Sequence, residues 1–191
     1  MPGSSLDEMR SNYVEPGPDR LSSSTPPCSA PARHSWVHAY APDTQSYDRH
    51  LVGKWLIRVQ CRFVDYCWER VRRATEDGTL GIAAKVSTDW HQQNDPAGTW
   101  GKLHVVCIYT ADFRDQDDVL RVAGRLAEVD AVRKSLLTYK ADIETYAGMY
   151  AGNSAGDVAI YEAKAPYDAL IVRSEPLAVA GDLLRQVQSQ R

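Results

Sequence analysis

The chain has 191 residues, 43% of them hydrophobic, and a formal net charge of -3 at pH 7, which suits one well-buried domain and leaves little room for a second core. The mildly acidic balance excludes a global nucleic-acid-binding signature, so any recognition of phosphate or nucleotide has to be local. No apolar run approaches the roughly 20 residues that span a bilayer, and the N-terminus lacks the basic-then-apolar order of a secretion signal, so a cytoplasmic protein without a membrane partner is expected.

Residues 1–34 are rich in Pro, Ser and Gly and read as a flexible tail, with a single domain over 35–191. "KWLIRV" (54–59) reads as a short apolar strand. In "VDYCWERVRRA" (64–74), Val64, Cys67, Trp68 and Val71 recur at helical spacing, with Arg70, Arg72 and Arg73 mostly on the polar side. "LGIAAKVST" (80–88) follows a turn and reads as a buried strand carrying Lys85, and "STDWHQQNDPAGTW" (87–100) as a polar loop. "GKLHVVCIYT" (101–110) is strand-like, with Lys102 and His104 on one face alongside Val106 and Ile108.

Acidic residues open a helix over 115–137, where Val119, Val122, Leu126 and Val129 share a face. Three further strands are expected at "LLTYK" (136–140), "VAIYE" (158–162) and "ALIVR" (169–173). A last helix is expected over 176–188. Strands outnumber helices and the connections are irregular, which points to an α+β fold with a curved, mostly antiparallel sheet backed by about three helices.

Cys28, Cys61, Cys67 and Cys107 form no C-x-x-C pair, and the five histidines fall at no metal-ligand spacing, so neither a metal nor another cofactor is expected. Several strands each bring one polar residue: Lys85, Lys102 with His104, Lys140, Tyr161 and Arg173. Lysine at a strand end is commonplace and also guards edges against aggregation. Gathered on one concave face, these groups would instead form the converging donors that a phosphate needs.

"GKWLIRV", "VDYCWERVRRATEDGTLGIAAKVST", "GKLHVVCIYT" and "LTYKADIETYAGMY" resemble, in order, the family of the basophilic leukaemia expressed protein. That family has no firmly assigned activity, and its fold is similar to that of the cap-binding translation initiation factor. "KLH" (102–104), "YKADIE" (139–144) and "AGDVAIY" (155–161) resemble more remotely the bacterial effector phosphothreonine lyases. That resemblance implies β-elimination of phosphate from phosphothreonine or phosphoserine in a peptide or protein. Lys140 would be the base and His104 the acid, with Lys102 and Tyr161, and also Lys85 and Arg173, as phosphate or substrate contacts.

Two features work against the lyase. A lysine base needs a pKa near 7 to 8 rather than its usual value of about 10.4, a shift of roughly 4 kcal/mol. In addition, the arginine that those lyases place shortly before the tyrosine strand is replaced here by the small residues of 151–156.

The alternative is a non-catalytic module that binds a phospho-ligand or a cap-like nucleotide, which would be its only nucleic-acid partner. A base would have to be sandwiched by aromatic rings, for which Trp36, Trp90 and Trp100 are candidates. Nothing in the chain indicates an oligomeric state.

Overall fold

The computed structural model describes residues 21–31, 34–42, 47–48, 50–94, 103–131, 136–142 and 159–174. Among them are seven strands: β1 (Trp36–Tyr40), β2 (Gly53–Gln60), β3 (Ala83–Ser87), β4 (Leu103–Thr110), β5 (Leu137–Ala141), β6 (Tyr161–Ala163) and β7 (Ile171–Val172). Three helices accompany them: α1 (Cys61–Glu76), α2 (Asp89–Asn94) and α3 (Gln116–Glu128). The strands form one curved sheet in the order β1-β3-β4-β2-β5-β6-β7, with every neighbouring pair antiparallel. The α+β class read from the sequence is the class observed.

α1 buries Val64, Cys67, Trp68, Val71 and Ala74, the stripe its 3.6-residue period dictates. It ends where Gly78 takes φ +70°, a left-handed turn that glycine adopts without steric cost. α3 begins at Asp115, whose carboxylate accepts from the Asp118 amide as an N-cap, and it buries Val119, Val122, Ala123 and Leu126. Both stripes pack on Trp55, Ile57, Val106, Ile108, Leu137 and Tyr139 in one core, and Trp55 Nε1 donates to the Val119 carbonyl at 2.9 Å. The sheet therefore has a helix-covered face and a face that neither α1 nor α3 covers.

Several boundaries differ from expectation. Part of the proline-rich stretch is ordered: a 3-10 turn at Pro27–Ser29 docks on α1, Leu21, Cys28 and Ala30 pack against the core, and Trp68 Nε1 donates to the Ser23 carbonyl at 2.8 Å. The indole needs a hydrogen-bond partner once buried, and this segment supplies it.

β1 is an additional edge strand. The polar loop contains α2, capped by the Thr88 hydroxyl, which accepts from the His91 amide at 3.2 Å. The strand expected over 158–162 starts only at Tyr161, and the one expected over 169–173 is confined to Ile171–Val172. The expected terminal helix at 176–188 lies outside the described residues, as does 1–20 of the tail. Among the described residues no helix is long and apolar enough to cross a membrane.

Close packing is tightest where β2 meets β5. A Cβ on Gly53 would stand 2.2 Å from the hydroxyl oxygen of Tyr139, a ring that also lies edge-on to Trp55 at 5.1 Å and hydrogen-bonds Thr110. Gly53→Ala is accordingly expected to destabilise the fold by about 1–3 kcal/mol, the usual cost of overpacking a full core. Urea unfolding of the variant against wild type measures this, and an unchanged midpoint would contradict it.

Candidate functional site

Antiparallel pairing puts directly opposed residues on the same face, so the register sorts every candidate side chain. Lys54 on β2 lies opposite both Tyr109 on β4 and Lys140 on β5. Lys85 on β3 lies opposite His38 on β1 and Cys107 on β4. Cys107 and Tyr109 share a face by the period of two, so Lys54, Lys85 and Lys140 all belong to the face away from α1 and α3. A small second cluster of Val52, Ala83, Val105, Cys107 and Tyr109 lies on this face, bordered by Trp36, Tyr40 and Tyr47.

The charges here are unevenly matched. Lys54 and Asp142 form a buried ion pair. Burial pushes the Asp142 carboxyl up, and the ammonium beside it works in the opposite sense. Lys54 Nζ also lies 5.7 Å from the Tyr109 ring centroid.

Lys85 is different. Its Nζ sits 4.4 Å from the Trp36 ring centroid and 5.8 Å from that of Tyr109, and no carboxylate among the described residues pairs with it. Burial pushes its pKa down, because the ammonium has exchanged water for aromatic faces that recover only part of the hydration energy. Trp36 is in turn flanked by His91 at 4.7 Å.

Of the residues expected to share a site, the fold brings Lys85 and Lys140 to one face and takes two others away. His104 is opposite Val59 and follows the parity of Val106 and Ile108, which places it fully buried on the helix-covered face. Tyr161 is opposite Tyr139, their rings 5.6 Å apart in the main core. The expected convergence of Lys140 with His104 and Tyr161 is thus corrected by the register: a whole sheet lies between the presumed base and acid. Arg173 donates through Nε and Nη2 to Glu162, so its charge is matched. Lys102 and Trp100 lie outside the described residues. Trp36, one of the expected aromatic candidates, does lie on this face, whereas sequence reasoning missed Lys54, Tyr109 and Asp142, although the alternation in "GKWLIRVQ" carries the parity that would have found the first.

A second constellation lies on the helix-covered side. Cys28 from the 3-10 turn, Cys61 at the start of α1, Asp89 at the start of α2 and His104 on β4 offer ligand-type atoms all within 4.8 Å of one another. The Cys28 and Cys61 sulfurs are 3.3 Å apart as free thiols, Cys61 Sγ is 3.9 Å from Asp89 Oδ1, and His104 Nε2 is 3.0 Å from the same oxygen. Burial, the hydrogen bond with Cys61 and the nearby Asp65 and Asp89 carboxylates push the Cys28 thiol up. Expecting no metal ligands from chain spacing overlooked this meeting of four separate elements. Cys67 fits the plain reading of a core thiol: burial raises it to about 12, and its sulfur donates to the Ala131 carbonyl.

The family model of the basophilic leukemia-expressed protein Bles03 matches residues 43–148, which run from before β2 to beyond β5. The chain belongs to this family. Among solved structures, this family member is similar to Caenorhabditis elegans eIF4E-3 in complex with the 4E-binding protein Mextli and a cap analog, at 17% identity and a TM-score of 0.46, covering 74% of this chain and 77% of that one. It is also similar to Ascaris suum eIF4E-3 with m7G cap, at 16% identity and a TM-score of 0.43, covering 64% and 65%. Schistosome eIF4E complexed with m7GpppA and 4E-BP gives 14% identity and a TM-score of 0.43, and the chain spans 61% of that protein's length while 60% of its own is covered.

The state of Lys85 has a measurable consequence. Its folded pKa lies below the unfolded value of about 10.4, so between the two the unfolded chain binds the extra proton and stability rises with pH. The stability difference between wild type and Lys85→Met should therefore shift in favour of wild type as pH is raised from about 7 to about 10. Urea unfolding of both proteins across that range checks it, and a difference independent of pH would contradict the desolvated ammonium.

Proposed function

We propose that this chain is a non-catalytic binding module for a phosphorylated ligand, held on the face that neither α1 nor α3 covers by Lys85, with Lys140 farther along the same side. The observation that carries this reading is Lys85, an ammonium kept among aromatic rings with no described carboxylate partner. A cation held this way is costly in the unliganded protein. A phosphate dianion would supply the missing charge and several acceptor oxygens. Lys140, a buried residue on β5 with β4 and β2 between it and Lys85, adds a second ammonium farther along the same side of the sheet. Trp36 and Tyr40, both partly exposed, border this ground and offer apolar surface to the body of a phosphopeptide or a nucleotide.

Catalysis has less support. A β-eliminating lyase must reach one substrate with its base and its acid together, and Lys140 and His104 belong to opposite faces. Arg173, one of the expected phosphate contacts, is already paired with Glu162. Recognition without turnover needs neither group to move.

Trp36 provides the readout, because a ligand that draws Lys85 off the indole changes its surroundings. Tryptophan fluorescence should change saturably on titration with a phosphothreonine peptide or with m7GpppG. Lys85→Gln should weaken that binding by about tenfold, near the 1.4 kcal/mol of one charge-assisted contact. Mass spectrometry of the peptide should show it intact afterwards. Absence of saturation with both ligands would overturn the module, and loss of phosphoric acid from the peptide would reinstate the lyase.

A further inference from the structure

We propose that Cys28, Cys61, Asp89 and His104 form a tetrahedral site for a divalent zinc ion that clamps the N-terminal segment onto the domain. The site lies on the helix-covered side of the sheet and is independent of the ligand proposed for the other face. Its donor set of two sulfurs, one imidazole nitrogen and one carboxylate oxygen is a set that zinc takes.

The geometry agrees with the size of the ion. Zinc bonds of about 2.3 Å to sulfur and about 2.0–2.2 Å to nitrogen or oxygen imply tetrahedral edges of about 3.8 Å between sulfurs, about 3.6 Å between sulfur and oxygen and about 3.3 Å between nitrogen and oxygen. The corresponding separations here are 3.3, 3.9 and 3.0 Å. These three edges match to within a few tenths of an ångström, and the remaining three lie within 4.8 Å.

His104 is the independent observation that points to a cation. Its Nδ1 lies 2.7 Å from the Ser87 carbonyl oxygen, which can only accept, so Nδ1 carries a proton, and in the neutral ring Nε2 is the atom that offers a lone pair to a metal. Nε2 is fully buried and makes no hydrogen bond, although Asp89 Oδ1 is 3.0 Å away. A buried Nε2 lone pair facing a half-exposed carboxylate oxygen is an arrangement that a cation between them satisfies. The Ser87 carbonyl is the outer-shell partner that orients a zinc-bound histidine and fixes its tautomer.

Each ligand is delivered by a different element. Thr88 caps α2 and thereby aims Asp89, and the Cys28 amide donates to the Asp65 carboxylate at 3.2 Å, holding the 3-10 turn against α1. Cys61 is exposed and gives the ion a path in. Binding would convert two thiols into thiolates and release two protons, with no change of oxidation state. Four protein ligands leave no open position for a substrate, so the ion is structural.

The test is anaerobic titration of the reduced full-length protein with cobalt(II), a spectroscopic stand-in for zinc. A sulfur-to-cobalt charge-transfer band with tetrahedral d–d bands should saturate at one equivalent and be displaced by zinc. Cys61→Ser changes an exposed position and should still fold. It should weaken cobalt binding by at least about a hundredfold, beyond the 10–100-fold typical of losing only an outer-shell partner. Cys28→Ser should do the same, whereas Cys107→Ala on the opposite face should leave the bands unchanged. Absence of a thiolate–cobalt band in wild type, an undiminished band in both serine variants, or a Cys28–Cys61 disulfide that persists under reducing conditions would each overturn the proposal.

Discussion

The strict alternation of side chains along β4, an inner strand of a sheet that carries α1 and α3 on one side only, is the constraint on which the rest depends. His104, Val106 and Ile108 are committed to the helical core by that alternation, and Val105, Cys107 and Tyr109 to the other face. Each neighbouring strand inherits the sorting through its register with β4. Displacing one strand by a single residue would exchange its two faces, exposing Trp55 and Ile57 and burying Lys54 and Arg58 in the core. The cost of that exchange is what holds three lysines on one side.

Those lysines illustrate how a sheet can keep charge in readiness. Lys54 and Lys140 stand directly opposite one another, an arrangement of like charges that destabilises a strand pair unless something intervenes. Asp142, one position beyond β5, offsets Lys54. Among the described residues Lys85 lies against the Trp36 and Tyr109 rings with no carboxylate to pair with it, and its desolvation leaves a local electrostatic deficit that an anion would relieve. The helix-covered face shows the converse imbalance, with Asp89, His104 and two cysteines presenting acceptors and thiols to a common centre. One face of the sheet is suited to an anion and the other to a cation.

Much of the architecture was legible in the sequence where periodicity was long and unbroken. The i, i+3, i+4, i+7 stripes of α1 and α3 and the eight-residue strands β2 and β4 are of this kind. β1 escaped notice because five residues with His38 and Tyr40 among them carry little alternation by themselves. α2 escaped because its cap, Thr88, comes immediately after strand β3 and its body is polar. Parity was also legible: His104 was rightly grouped with Val106 and Ile108. Which parity meets the helices is decided by tertiary packing, and there the grouping of His104 with Lys140 broke down. The cysteine pair spans 33 residues and the contact of Cys61 with Asp89 spans 28, distances over which no local spacing rule operates.

The central claim is that the fold separates an anion-receiving face from the side that holds His104. A crystal of the protein soaked with tungstate, a heavy analogue of the phosphate dianion, tests it most directly through the anomalous signal of tungsten. The account predicts an anomalous peak beside Lys85 on the face that neither α1 nor α3 covers, with Lys85 drawn away from the Trp36 ring. A peak beside His104 on the helix-covered side, or a Lys85 face left vacant while tungstate occupies other sites, would contradict it.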